Sequence, residues 1–128
     1  MRLLLDTHVL LWSLLAPERI SGEVSGLIVD PANDVYVSAV SAWEIAIKQS
    51  IGKLDLPGPA LGWLPDACVQ AQLDWIEVSA LDALRVGALP WHHRDPFDRL
   101  LIAQTARGLV LVTHDRALRS YGVPILVA

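Results

Sequence analysis

The chain has 128 residues, 53% hydrophobic and 19% charged, a balance that excludes a disordered or low-complexity protein and suffices for one domain, residues 1–128, with one core. Its net charge of −4 argues against a general nucleic-acid coat, which needs Lys and Arg to neutralise phosphates, yet leaves room for an enzyme that touches a few phosphates locally. The lone cysteine, Cys68, excludes an internal disulfide and a cysteine metal cage. No stretch approaches the roughly 20 apolar residues of a membrane span. Asp6 and His8 interrupt the apolar N-terminus before it can act as a signal peptide, so a cytoplasmic location is expected.

Arg2 to Leu5 reads as a first strand ending at Asp6, and Thr7 to Leu15 as a helix stopped near Pro17. Ser21 to Val29 has a serine start and helical spacing of Val24, Leu27 and Ile28. Asp34 to Ser38 is rich in β-formers and predicts a second strand. Val40 to Ile51 is a strong helix pattern closed by Gly52. A loop at Leu54 to Gly58 leads to a helix over Ala60 to Leu73, with Gly62 and Pro65 near its start. Trp75 to Ser79 predicts a short strand and Leu81 to Ala88 a short helix, followed by an irregular Pro90 to Pro96. Phe97 to Arg107 predicts a helix ended by Gly108, then Leu109 to Thr113 a strand, Asp115 to Tyr121 a helix and Pro124 to Val127 a last strand. Alternating strands and helices predict a parallel sheet covered on both faces.

Four acidic residues carry the functional signal: Asp6, Glu44, Asp98 and Asp115. Three follow one local grammar, in which a strand or turn ends, an aspartate appears and a helix pattern starts. Strand ends of this kind share one edge of a parallel sheet, where α/β folds build their sites. Carboxylates gathered without a basic partner repel, and a divalent cation is the simplest group to hold them.

Each also has a plainer reading. Asp6 and Asp115 sit where a helix N-cap is wanted. In Asp95-Pro96-Phe97-Asp98, Pro96 suits the first helical position, so Asp95 is the natural cap and Asp98 falls at N3. Asp98 there can answer the helix dipole, yet it shares a face with Leu101, Ile102 and Thr105 and so leans toward the core. Glu44 lies in the apolar stripe of Val40, Ile47 and Ile51 and needs a partner, either Lys48 at i+4 or a site role. Individual caps explain each aspartate; four acids at matching topological positions favour a site.

The histidines His8, His92, His93 and His114 show no metal-ligand spacing, and the His92-His93 pair is expected to be a solvated loop. No phosphate loop and no nucleophile elbow is present.

The blocks LLLDTHVLLW, SAVSAWEIAIK, HRDPFDRLLIAQTA and LVTHD, in this order and spacing, closely resemble a PIN-domain protein of the bacterial VapC toxin type. The resemblance runs from Arg2 to the C-terminus. It implies a three-layer fold with a five-stranded parallel sheet and a metal-dependent ribonuclease of a toxin–antitoxin pair. It implies catalytic positions at Asp6, Glu44, Asp98 and Asp115, with Thr113 as the supporting hydroxyl. Asp6, Asp98 and Asp115 would hold Mg²⁺, with Mn²⁺ able to substitute. Lys48, Arg94, Arg99 and Arg116 lie near these blocks as candidate RNA contacts. The expected partners are RNA, a VapB-like antitoxin packing on the early helices and a second copy of the chain; the apolar excess, including Trp12, Trp43 and Trp63, is the motive within the sequence.

Two competing folds lack their signatures. A receiver domain needs a late lysine, and none follows Lys53; a haloacid-dehalogenase-like phosphatase needs Asp-x-Asp where this chain has Asp6-Thr7-His8. A PIN fold kept only for partner binding is the remaining alternative.

Overall fold

Five short strands, β1 (Arg2–Leu5), β2 (Asp34–Ser38), β3 (Asp74–Ile76), β4 (Val110–Thr113) and β5 (Ile125–Val127), form the sheet. They pair in parallel in the order β3-β2-β1-β4-β5. The structure, a computed structural model, describes residues 1–128. Six α-helices connect or flank the strands: α1 (Thr7–Leu15), α2 (Gly22–Val29), α3 (Ala39–Ser50), α4 (Leu64–Gln70), α5 (Ala80–Arg85) and α6 (Pro96–Gln104).

The central strand shows why the fold has three layers. Leu3, Leu4 and Leu5 are all fully buried, and successive side chains of a strand point to opposite faces. Leu3 and Leu5 join Val35, Val37 and Val112 under Val9 and Leu10 of α1, Val24 of α2 and Cys68 of α4. Leu4 joins Leu111 under Leu101 and Ile102 of α6 and Val40 of α3. α3 spans both layers, with Val40 in one cluster and Ile45 in the other. This is the five-stranded parallel sheet with helices on both faces that the alternation and the resemblance imply.

Local chemistry sets the element ends. α3 closes in a Schellman turn: Gly52 sits at φ 74°, its N–H bonds to the Gln49 carbonyl, and the Lys53 N–H bonds to the Lys48 carbonyl. Gly108, at φ 80°, similarly turns the chain out of the 3₁₀ turn Thr105–Arg107 and into β4.

Several predicted boundaries shorten. The helix expected over Ala60 to Leu73 divides into a 3₁₀ turn at Ala60–Gly62 and α4, with Pro65 in the first turn of α4. Here Gly62 lowers helix propensity, and Pro65 suits only a helix start. β3 is Asp74–Ile76 rather than Trp75 to Ser79, and Ser79 instead forms a capping box with Asp82 at the start of α5. The segment after Asp115 is a 3₁₀ helix, Arg116–Tyr121, not an α-helix.

Candidate metal centre

In a parallel sheet the carboxyl ends of all strands face one way, so β1 and β4 deliver Asp6 and Asp115 to the same edge. α6 runs back before β4, so its first turn, with Asp98, arrives at that edge as well. Glu44 comes from the second turn of α3, just after β2.

Asp6 is buried and uses each carboxylate oxygen differently. Oδ1 accepts the Val9 N–H at 2.7 Å, the helix cap. Oδ2 accepts the Thr113 hydroxyl at 2.6 Å, the His114 N–H at 3.1 Å and His114 Nδ1 at 2.9 Å. Cap and site component are therefore the same residue. Burial alone would raise the Asp6 carboxyl, but the hydrogen bonds from His114, Thr113 and the Val9 amide outweigh it and hold the group below the usual carboxylate range. The bond to Asp6 in turn raises the His114 imidazole.

Asp98 has the opposite environment. Burial, followed by the carboxylates of Asp95 and Asp6, pushes its carboxyl up to about 7; His93 opposes this and Glu44 adds to it. Its basic neighbour is His93, whose Nε2 lies 3.7 Å from Asp98 Oδ2. Asp95, by contrast, is the cap: its Oδ1 accepts the N–H groups of Phe97 at 2.8 Å and Asp98 at 3.3 Å.

Asp115 Oδ1 accepts the Ala117 N–H, capping the 3₁₀ helix, while Oδ2 meets His93 Nε2 at 3.1 Å. Thr113 bridges the two strand ends, donating to Asp6 and accepting the Asp115 N–H at 3.1 Å. Ligand atoms of His93, Asp98 and Asp115 all lie within 4.8 Å of one another.

His93 was expected to be solvated, and this is corrected: it is half-buried and sits among the carboxylates. Its Nδ1 accepts the Asp95 N–H at 3.0 Å. That commits the proton of the ring to Nε2, which donates to Asp115. His93 thus orients the Asp115 carboxylate, with both ring nitrogens engaged. His114 also escaped the sequence reading, although its place between Thr113 and Asp115 at a strand end was a usable signal.

Glu44 is buried with both oxygens engaged. Oε1 accepts the Thr7 hydroxyl at 2.5 Å, and Oε2 forms an ion pair with Lys48. The i+4 pairing is present, and through Thr7 it ties Glu44 to the residue beside Asp6. Lys48 is half-buried in that pair. Arg94 and Arg116 are exposed at the same edge.

Arg99 is corrected as an RNA contact. It is buried, and its guanidinium donates to the carbonyls of Pro90 at 2.8 Å, Val86 at 3.1 Å and Leu89 at 3.4 Å, and to the Tyr121 hydroxyl at 3.2 Å. Its guanidinium also lies 4.0 Å from the centroid of the Trp91 ring, so the charge serves to fasten the loop that carries Trp91 and His93.

The donor set is carboxylate-rich, with Asp98 and Asp115 brought together and Asp6 joined to Asp115 through Thr113. Carboxylates gathered in this way repel one another, which a cation would relieve, and hard oxygen donors suit Mg²⁺ or Mn²⁺.

A three-layer α/β fold with an acidic cluster at the carboxyl edge defines a class, and a model of the PIN domain matches residues 3–124. The chain belongs to the PIN-domain family, and within it to the VapC type. It is 36% identical over 123 residues to Ribonuclease VapC22 of Mycobacterium tuberculosis (strain ATCC 25618 / H37Rv), covering 94% of this chain and 92% of that relative. Among solved structures it is similar to VapBC2 from Rickettsia felis bound to a DNA fragment from their promoter, with a TM-score of 0.73 at 15% identity over 99% of this chain and 98% of that one. It is also similar to FitAcB from Neisseria gonorrhoeae, with a TM-score of 0.64 at 20% identity over 98% and 96% of the two chains. These structural likenesses bear on the fold.

Proposed function

We propose that this chain is the ribonuclease toxin of a toxin–antitoxin pair and hydrolyses RNA phosphodiester bonds at a Mg²⁺ site, with Mn²⁺ able to substitute. The observation that carries the reading is the acidic cluster itself: ligand atoms of Asp98 and Asp115 lie within 4.8 Å of one another, and Thr113 joins Asp6 to Asp115. Membership of the VapC type and the 36% identity to a named ribonuclease support the reaction class.

Asp6, Asp98 and Asp115 would hold the ion, and Glu44 would act beside them. When bound, the metal orients and acidifies a water and stabilises charge on the phosphate oxygens. The chain's own groups prepare that chemistry. Thr113 and His114 hold Asp6 ionised and fix its orientation. His93 aims Asp115. Lys48 answers the charge of the buried Glu44. Arg94 and Arg116, exposed at this edge, and the half-buried Lys48 are the remaining candidate contacts for RNA phosphates.

An antitoxin segment would pack on the early helices, and the toxin would be a homodimer. Support for the first comes from a groove of about 800 Å³ between the ends of α1, α2 and α4, at the amino-terminal edge of the sheet.

The test is cleavage of defined RNAs with Mg²⁺, after addition of chelator, and after restoring the metal. Cleavage should stop with chelator and return with Mg²⁺, leaving 5′-phosphate and 3′-hydroxyl ends. Undiminished cleavage in excess chelator, or 2′,3′-cyclic phosphate ends, would defeat the mechanism.

A further inference from the structure

Two of the five tryptophans are more than half exposed and lie close in sequence to residues of the acidic edge. Trp12 and Trp63 pack against the larger core. Trp43 is 59% exposed and Trp91 78% exposed, and these two lie next to Glu44 and two residues before His93. Leaving an indole in water forgoes a large burial gain, so its placement here asks for an occupant.

Trp43 is held ready for one. Its ring stands edge-on to Phe97, at 5.4 Å and 76°, and Phe97 directly precedes Asp98. Lys48 Nζ lies 5.9 Å from the Phe97 ring while paired to Glu44. A braced aromatic ring, an ammonium and the carboxylate cluster are therefore contiguous. The rest of the exposed face of α3 nearby is Ala39, Ala46 and Ser50. One ring among small residues is narrower than the apolar patch a folded partner covers, and it matches the size of a nucleobase.

Resting on the ribonuclease reading above, we propose that Trp43, braced by Phe97, is a stacking platform for one base of single-stranded RNA flanking the phosphate at the acidic edge. Stacking on aromatic rings is how proteins grip unpaired bases, and it tolerates sequence because every base offers a π-face. Bases in a duplex are already stacked and buried in a helix whose major groove is too narrow for side chains. The platform thus selects single strands.

The experiment is steady-state cleavage of a single-stranded RNA with a mapped cut site, using wild type, Trp43→Ala, Trp43→Phe and, as a control at the opposite sheet edge, Val29→Ala. Trp43→Ala should raise KM about tenfold with kcat changed less than twofold, while Trp43→Phe and Val29→Ala stay within about threefold of wild type. Replacing the base beside the cut site with an abasic sugar should raise the wild-type KM similarly and add nothing in Trp43→Ala, the non-additivity expected of one shared contact. A wild type that cuts no RNA would sink the ribonuclease reading itself. A wild type that cuts RNA, beside a Trp43→Ala with unchanged KM or a loss that adds fully to that of the abasic sugar, overturns the platform alone. Sedimentation of the same proteins separates a last outcome: if Trp43→Ala dissociates an oligomer, the indole is a subunit contact and the platform is overturned.

Discussion

Asp95 and Asp98 stand one helical turn apart and do different work. Asp95 accepts two backbone N–H groups, and asparagine caps a helix about as well as aspartate. Asp95→Asn should therefore keep most RNA cleavage. Asp98→Asn should lose at least 100-fold, since an amide is a poor replacement for an anionic ligand of Mg²⁺. The stability effects run in the other direction. The folded Asp98 carboxyl sits at about 7, above its unfolded value. Below about pH 4 both states are protonated and the group contributes nothing. As pH rises from about 4 to about 7 the unfolded chain ionises first, so the folded state loses stability, and the loss is complete above that window. In metal-free protein at pH 8, Asp98→Asn should be more stable than wild type by on the order of 2 kcal/mol, an allowance that discounts for partial solvent screening. Urea midpoints at pH 4 and pH 8 check this; equal midpoints at pH 8 would show that no crowding exists. Because Mg²⁺ must displace that proton, its affinity should climb between pH 6 and 8, and the climb should vanish in Asp98→Asn.

His93 supplies a second residue-level prediction. Its Nδ1 is committed to the Asp95 N–H and its Nε2 to Asp115, so it orients a ligand in the manner of an outer-shell group. His93→Ala should weaken Mg²⁺ binding roughly 10- to 100-fold, the range for such partners, read as a smaller Mg²⁺-dependent rise in melting temperature. A rise equal to that of wild type would leave His93 without this role. Much at this scale was legible: the caps at Asp6, Asp95 and Asp115 and the pairing of Glu44 with Lys48 follow from spacing. Cap and site are compatible because a carboxylate has two oxygens, as Asp6 demonstrates. His93 was not legible, because its partners lie across a turn and on another strand end.

At the scale of elements, α6 is the piece whose placement matters most. Asp95 and Pro96 start it at the acidic edge, Leu101 and Ile102 bury it against β4 and β1, and Arg99 fastens it to the preceding loop through three carbonyls and the Tyr121 hydroxyl. Removing that guanidinium strands buried carbonyls at a cost of about 1–3 kcal/mol each for those that water cannot reach. Arg99→Ala should lower stability by about 3 kcal/mol. Arg99→Lys should recover little, since one ammonium cannot reproduce the planar fork. Urea unfolding measures both; a loss under about 0.5 kcal/mol for Arg99→Ala would mean the clamp is not formed. The sequence suggested an RNA contact here because a charged residue beside a motif reads as exposed, and its burial depends on a loop whose path has no periodic pattern. Element types were otherwise legible, since strands and helices differ in period. Ends were less so: Gly62, Pro65 and the 3₁₀ turns flanking α5 and α6 break helices by local geometry that apolar spacing does not encode.

Across the whole molecule, a parallel sheet has two unlike edges, and here they carry different surfaces. The carboxyl edge holds Asp6, Asp98 and Asp115. The amino edge holds the groove, floored by Ile20, Ile28, Val35 and Leu73 and bordered by Asp30, Asp34 and Asp74. That the sheet is parallel was readable from the alternation of elements, but its strand order and the groove were not; the groove is made by the ends of three helices that no local pattern relates. An apolar floor with acidic borders suits a peptide that brings apolar side chains flanked by Lys or Arg. If the antitoxin segment sits there, inhibition and catalysis can be separated by mutation. Val69→Arg places a cation among groove residues at an exposed position. It should weaken the toxin–antitoxin complex at least tenfold, by clash and by repulsion of a basic peptide, while RNA cleavage by the toxin alone stays within twofold of wild type. Asp98→Asn should do the reverse, remaining bound by the antitoxin while cutting no RNA. Titration of labelled antitoxin against both variants, beside cleavage assays on the same preparations, decides it. Full antitoxin affinity in Val69→Arg would move the docking surface away from the amino edge, and a loss of cleavage in the same variant would show that the two edges are coupled rather than independent.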